Sequence, residues 1–492
     1  MPLLVTILIV LVVVALFVLA FLLIRAALYG KPIEAVNPIE GMKVDPYVVA
    51  EHLATVVRKP TISSLRAEEV DGESFLALHR ALEAMYPRVH ATLERRTINE
   101  HGLLYTWQGR KPELEPVLFA AHQDVVPVEA AGLSEWTYPP FSGQIADGYV
   151  WGRGTLDIKS QMIAVLEAVE NLLKEGYRPQ RTILLAFGQD EEVSGALGAG
   201  SIAALLAEEG VRLEAVLDEG GGVTEGMLPG IKGPVAMVGT SEKGYLSLEI
   251  TASGEPGHSS TPPDQTAIGI LGAALARLEA SPMPPRLNSI VRTLDEVGGL
   301  MPFSMQFLLA NRWLFGGAIL KRLAANPRTN ATIRTTQAIT MISGGVKDNL
   351  LPREARAVVN FRLLPGDTIA GVCEHARRAL ADKRVTFEPM ANNGVREASP
   401  VSPSSAQAYQ DLSKVIRQIF PNTAVAPYLV LGATDARYYT GICDNVYRFT
   451  PILMSSEDMK LIHGTNERIS VEGLGRKVQF FGQLIRIWGE RG

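Results

Sequence analysis

The chain has 492 residues, more than a single hydrophobic core fills, so two domains plus an accessory segment are expected. Hydrophobic residues at 47% and charged residues at 20% are ordinary for a folded enzyme, and a net charge of -5 gives no reason to expect nucleic acid as a partner. Two cysteines, Cys373 and Cys443, are too few for a disulfide framework.

The first predicted element is not globular. Leu3 to Ile24 is apolar except for Thr6, a run of about 22 residues and long enough to span a bilayer as a helix. A cleaved signal peptide is the competing reading. No Lys or Arg precedes the run, and its apolar core exceeds the usual length of about 7–15 residues, which favours an uncleaved single-pass anchor over residues 1–30. Arg25 and Lys31 nominally favour a cytoplasmic C-terminal side, but Glu34 and Glu40 dilute them and leave the side open. Residues 31–45, with Gly, Pro and mixed charge nearby, read as a linker, and Asp45 as the cap of a helix running through Arg58.

Candidate strands follow at Pro116–Ala121, Arg181–Phe187, Glu214–Leu217 and Val425–Leu431. Between the first two, Lys159–Lys174 carries Ile163, Leu166, Val169, Leu172 and Leu173 at helical spacing. Strand-helix alternation predicts an α/β domain with helices on both faces of its sheet, formed by residues 46–240 and 361–492. The texture changes near Gly239. Gly244–Ala252, Ala331–Ile342 and Ala355–Phe361 read as strands and Thr266–Ala280 as a helix, a small α+β domain inserted over 241–360. Within it the apolar stretch 301–320 is broken by Pro302, Asn311 and Arg312, so a pair of helices lining a pocket is expected rather than a second span. Its Phe303, Phe307, Leu308, Trp313, Leu314 and Phe315 would suit a long acyl chain. A terminal helix is expected over Val471–Trp488.

Four motifs sit just after predicted strands: AAHQDVVP (His122, Asp124), GRGTLDIKS (Asp157), FGQDEEVSG (Asp190, Glu191, Glu192) and AVLDEGGG (Asp218, Glu219). A fifth, IHGTNE (His463), lies near the C-terminus. In open α/β sheets, ligands gather outside the carboxyl ends of the strands, so these side chains can meet in one crevice. Imidazoles and carboxylates together suit Zn²⁺. A pair of divalent ions would also relieve the repulsion among the acids, with one bridging carboxylate and a separate carboxylate to move a proton.

Through these motifs the chain resembles the two-zinc aminoacylase and carboxypeptidase family, from about Asp45 to the C-terminus. Within it the likeness is to the members acting as carboxypeptidase S and as fatty-acyl amino acid synthase/hydrolase, through TNATIRTTQAIT, KDNLLP, VNFRLLPGD and EDMKLIHGTNE. The resemblance implies two Zn²⁺ per subunit, or other divalent ions, with Asp157 bridging. His122 and Asp218 complete one site, and Glu192 and His463 the other. Glu191 is implied as general base, and Asp124 as the partner that orients His122. The inserted domain is implied to be a lid through which the chain forms a homodimer. Its His258, in GEPGHSSTP, is implied to stabilise the developing oxyanion. Asn349 is implied to bind substrate, Arg362 to bind its free carboxylate, and Gly432 to lie on a substrate-facing loop. A cis peptide is implied after Asp157, where Ile158 stands in place of the acidic residue many relatives carry.

The implied reaction is hydrolysis of an amide beside a free carboxylate. The substrate expected is a small molecule, an N-acyl amino acid with the N-fatty-acyl class included, or a small peptide if the enzyme is a carboxypeptidase or dipeptidase with the same chemistry. A non-catalytic binding protein would be expected to lose Glu191 or a ligand, and none is lost.

Overall fold

The computed structural model describes residues 2–491 apart from 31, 35, 38–40, 227–229, 232 and 391–393, so those parts of the 31–45 linker lie outside the described residues. Helix α1 (Pro2–Ala27) is followed by α2 (Pro46–Val57), whose first turn is capped by the Asp45 side chain accepting from the Tyr47 amide.

The larger sheet is ten-stranded and mixed. Its strands are β1 (Glu94–Ile98), β2 (Gly102–Trp107), β3 (Val117–His122), β4 (Ile183–Gly188), β5 (Ala215–Asp218), β6 (Gly222–Glu225) and β7 (Pro234–Glu242). The later strands β12 (Ala424–Val430), β13 (Val446–Arg448) and β14 (Leu453–Met454) complete it. The order is β1-β2-β4-β3-β5-β13-β7-β6-β14, with β12 on β7. Strands β4, β3, β5 and β13 run parallel, and this central block carries the motifs. Along β3, Phe119 and Ala121 pack into one core with α2, α3 (Lys159–Lys174) and the long C-terminal helix α9 (Val471–Glu490), while Leu118 and Ala120 pack into the other. Period-two alternation thus puts helices on both faces.

The second domain is a four-stranded antiparallel sheet, β9-β10-β8-β11, of β8 (Gly244–Ser253), β9 (Thr336–Gly344), β10 (Glu354–Leu363) and β11 (Val385–Pro389). Helices α4 (Ala267–Glu279) and α8 (Ile369–Leu380) share its core. This corrects the expected boundary at 360: β11 pairs with β8, and Val372, Ala376 and Leu380 bury in the core of the inserted domain, which therefore runs on to Pro389. The expected strand Ala331–Ile342 also begins late. Asn326 caps a short helix, Pro327–Ile333, with Pro at its first turn, and the strand starts only at Thr336.

Between α4 and the short helix Pro327–Ile333 lie the α-helices α5 (Val291–Val297), α6 (Phe303–Ala310) and α7 (Arg312–Ala324). The end of α1 is fastened to them. The Arg25 guanidinium donates to the Ala310 carbonyl at 3.2 and 2.7 Å, a cation at the C-terminus of α6. The Asn311 amide donates to the Leu22 carbonyl at 3.1 Å, and the Tyr29 hydroxyl donates to Asp295, which pairs with Arg312 at 3.0 Å. Gly30, at φ +97°, approaches Gly299 so closely that a Cβ would fall 2.3 Å from its main chain. Residues just beyond α1 are also held: Glu34 pairs with Arg417, and Ile33 packs beside Val297 and Val235. The linker is therefore tied to the body at these points.

Candidate metal centre

His122 is the last residue of β3, Asp218 ends β5, and the acidic run Asp190–Glu192 follows β4, so the parallel strands deliver their polar residues to one edge. There Asp157 stands between two clusters. Its Oδ1 lies 3.2 Å from His122 Nε2, and its Oδ2 lies 2.9 Å from His463 Nε2. Glu219 completes the first cluster, 3.2 Å from His122 Nε2, and Glu192 the second, 3.1 Å from His463 Nε2. Within each triad the donor atoms lie within 4.8 Å of one another.

The structure corrects one ligand assignment: Glu219, not Asp218, faces His122. Successive residues leaving a strand point to opposite sides, so the two adjacent acids cannot both enter the crevice. Asp218 is buried with its Oδ2 lacking a hydrogen-bond partner, where it feels Glu242, Arg448 and His122, and burial raises its carboxyl above the usual range. Alternation in the LDEG motif was the signal that sequence reading left unused.

Electrostatics fit a cation between the clusters. Burial, with the Asp157 carboxylate next, pushes Glu219 up to about 8. Burial works against Asp157 too, yet the imidazoles of His122 and His463 hold it below the ordinary carboxylate range. Hydrogen bonds to Asp157 and Glu192 raise His463 to about 10. Burial opposes protonation of His122, but the Glu219 charge and the flanking acids carry it well above normal. The acids thus draw positive charge onto both rings, the demand that divalent ions meet. Glu192 Oε1 is moreover buried without a hydrogen-bond partner.

The frame around the clusters is densely bonded. Asp124 is fully buried; it accepts the amides of Glu191 and Glu192 at 3.2 and 3.1 Å and the Ser63 hydroxyl at 2.7 Å, and the His122 Nδ1 lies 3.0 Å from its main-chain carbonyl and 3.3 Å from its Oδ1. It therefore orients both the imidazole and the acidic turn. Asp190 accepts the amides of Leu197 and Gly198, leaving Glu191 to face the cavity. Burial pushes the Glu191 carboxyl well above its ordinary value. The peptide Asp157–Ile158 is cis, as the resemblance implied.

Sequence reading missed Glu467. Fully buried, it accepts the amides of Gly154, Leu156 and Asp157 at 3.0, 2.7 and 3.2 Å and pairs with Arg153 at 2.7 Å. It clamps the turn that carries the central aspartate. The buried amines of Lys159 and Lys477, each lowered by burial to about 7, lie beneath, with Lys477 donating to Ser160. Glu467 shares the IHGTNE motif with His463, and its in-line position there was the available signal.

The crevice opens into a cavity of about 420 Å³ lined by the polar Asp157, Glu191, Glu192, Glu219 and His463. Met237, Tyr428, Ile452, Met454, Met459 and Ile462 supply an apolar share of its lining. Ala433, next to Gly432, lines it; Gly432 itself is exposed. His258, Asn349 and Arg362 do not line it. His258 is exposed on a two-residue ribbon paired with Leu350, beside Asn349, whose carbonyl accepts the Ser259 amide. Arg362 is held across the strand pair, its guanidinium 4.6 Å from the Tyr245 ring centroid and donating to Asn360. The expected acyl pocket in 301–320 is likewise corrected. Those residues form α6, which packs against α1, and α7, which packs against α6, and the wall beside the clusters comes from β6, β7, β12 and the segments after β13.

Comparison with known proteins agrees with this geometry. The chain is 39% identical over 456 residues to the human N-fatty-acyl-amino acid synthase/hydrolase PM20D1, covering 91% of this chain and 89% of that one. It is 33% identical to carboxypeptidase S of Saccharomyces cerevisiae, covering 88% and 83%. Its fold matches the M20 family metallo-carboxypeptidase Sso-CP2 of Sulfolobus solfataricus, with a TM-score of 0.61 at 18% identity over 91% of this chain and all of that one. It also matches the Bacillus subtilis YXEP protein, described as a dinuclear metal binding peptidase, with a TM-score of 0.55 at 14% identity over 90% and 99%. The sequence match to the description "Peptidase family M20/M25/M40" extends over residues 118–487 and takes in all five clustered ligand candidates, and the chain belongs to that family.

Proposed function

We propose that this chain is a membrane-anchored, two-zinc amidohydrolase that cleaves N-acyl amino acids, with long acyl chains as its preferred class. The observation that carries the reading is Asp157 held between two imidazole-carboxylate triads in a cavity whose lining also includes many apolar side chains. His122, Asp157 and Glu219 would hold one ion, and Asp157, Glu192 and His463 the other. Zinc bound there supplies Lewis acidity toward water and the scissile carbonyl.

The chain's own groups do the rest. Glu191, facing the cavity with a carboxyl raised by burial, takes a proton from the attacking water and returns it to the leaving nitrogen. Asp124 and Glu467 keep the ligands in place. From the family resemblance, Arg362 and Asn349 are assigned to the substrate and its free carboxylate, Gly432 to the substrate-facing loop, and His258 to the oxyanion. For His258 and Asn349 the exposed ribbon would reach a second subunit's cavity in a homodimer.

The apolar lining favours an acyl chain: no Arg or Lys is among the described lining residues, whereas three methionines (Met237, Met454 and Met459), three isoleucines (Ile158, Ile452 and Ile462) and Tyr428 are. Each methylene buried there contributes about 0.8 kcal/mol, so even a few carbons select strongly. The competing reading, a carboxypeptidase or dipeptidase, draws on the similarity to carboxypeptidase S. A series from acetyl to oleoyl amino acids, run beside dipeptides with metal content measured, separates the two. Catalytic efficiency is expected to climb with chain length; a preference for dipeptides or acetyl substrates would transfer the assignment to the peptidase. Helix α1, 26 residues long and exposed except at Leu22 and Ala26, supports an anchor rather than a core helix.

A further inference from the structure

We infer that α6 and α7 form a second membrane-contact surface, seated in the bilayer interface beside α1. The inference rests on α1 being a retained anchor. Three observations carry it.

The first is depth. From Leu3 to Leu22 an α-helix rises about 29 Å, close to the roughly 30 Å of a bilayer's hydrocarbon core. Leu22 therefore lies at the edge of the apolar layer when α1 spans it. Asn311, the corner between α6 and α7, donates to the Leu22 carbonyl, so that corner is at the same level.

The second is rigidity. The corner is bolted to α1 by the Arg25, Asn311 and Tyr29 hydrogen bonds and by the glycine-on-glycine approach of Gly30 to Gly299. A flexible tether would let the body tumble away from the surface; this junction holds it there. It also ties a removable leader into the fold, which fits a segment that stays.

The third is the exposed face. Trp313 and Leu314, two and three residues past Asn311, are 64% and 51% exposed, and Phe303 at the start of α6 is 51% exposed. Along α7 the exposed stripe continues through Gly317 and Ala318 to Lys321 and Arg322. Such a face, tryptophan and aliphatic groups near the apolar layer and cations farther along, matches acyl chains and headgroups together. It is joined to the apolar helix α1 through α6, which packs on α1, and that junction is what selects a bilayer over a protein partner.

The test uses the full chain in phosphatidylcholine nanodiscs. In a Cys373→Ser background, Trp313→Cys and Leu314→Cys carry an environment-sensitive fluorophore, and Lys111→Cys serves as the exposed control. Resistance to alkaline extraction from vesicles is measured in parallel and reports on α1 alone. Expected are blue-shifted emission at 313 and 314 and loss of most fluorescence with acyl-brominated lipid, with neither at 111. Solvent-like emission in a chain that resists extraction overturns the inference and leaves the anchor standing. Blue-shifted emission that brominated lipid does not quench overturns it in favour of a contact between copies. Release of a chain cleaved near α1 overturns both.

Discussion

The crevice at the carboxyl ends of β3, β4 and β5 and the helical corner at the foot of α1 are built on opposite principles. In the crevice the functional side chains are held by dense hydrogen bonding: Asp124 by two amides and a hydroxyl, Glu467 by three amides and an arginine. At the corner a few bonds lock the backbone, while Trp313, Leu314 and Phe303 are left exposed. Catalysis needs atoms fixed to fractions of an ångström, and polar bonds provide that. A lipid contact needs apolar area at a given height and little else.

Substitutions sharpen this contrast. The largest effect is expected at Asp157. Asp157→Ala removes the group common to both triads, so elemental analysis should show loss of both metals with activity at background; two metals retained would refute the shared-ligand arrangement. Next, Glu191→Gln should keep its metal and lose roughly 10²–10⁴-fold in kcat, the usual scale for a positioned proton-transfer group. Near-normal turnover would locate the base elsewhere.

The pair Asp218 and Glu219 tests the corrected ligand. Glu219→Ala is expected to lose one of the two metals, whereas Asp218→Asn should retain both; the reverse pattern would restore the assignment made from the motif alone. Glu467→Gln probes the frame. Leaving Arg153 buried without its partner should cost roughly 3–5 kcal/mol of stability in denaturant titration, with metal affinity falling as the Asp157 turn loosens. The smallest effect on chemistry is expected at the corner. Gly30→Val strains a positive φ and crowds Gly299, costing about 1–3 kcal/mol locally. Amide exchange over 295–312 should accelerate while turnover of a short soluble substrate stays unchanged. A parallel loss of turnover would show that the two regions are coupled.

The motifs were legible because metal chemistry constrains residue type and position at once. His122, Asp157, Glu192 and His463 converge as expected, and the cis bond after Asp157 is present. The apolar run, α3 and the central strands were legible through periodicity, within a residue or two. Strand 331–342 was misread because its apolar residues did not reveal that Asn326 and Pro327 start a helix.

What the sequence by itself determined was the inventory: an apolar segment long enough to span, an α/β frame, an inserted α+β domain, and the acids and histidines of a metal site. Only the tertiary structure decided how these combine. It chose Glu219 over Asp218, because strand alternation becomes a choice of face only once the sheet is closed by its neighbours. It carried the inserted domain through Pro389, because β11 pairs with β8, far away in sequence. It drew much of the apolar lining from strands scattered between Gly222 and Met454, and it put α6 against α1 and left residues 301–320 out of the lining of the catalytic cavity. Those outcomes rest on contacts between segments hundreds of residues apart, such as Arg25 with Ala310, and local pattern carries no record of such pairings.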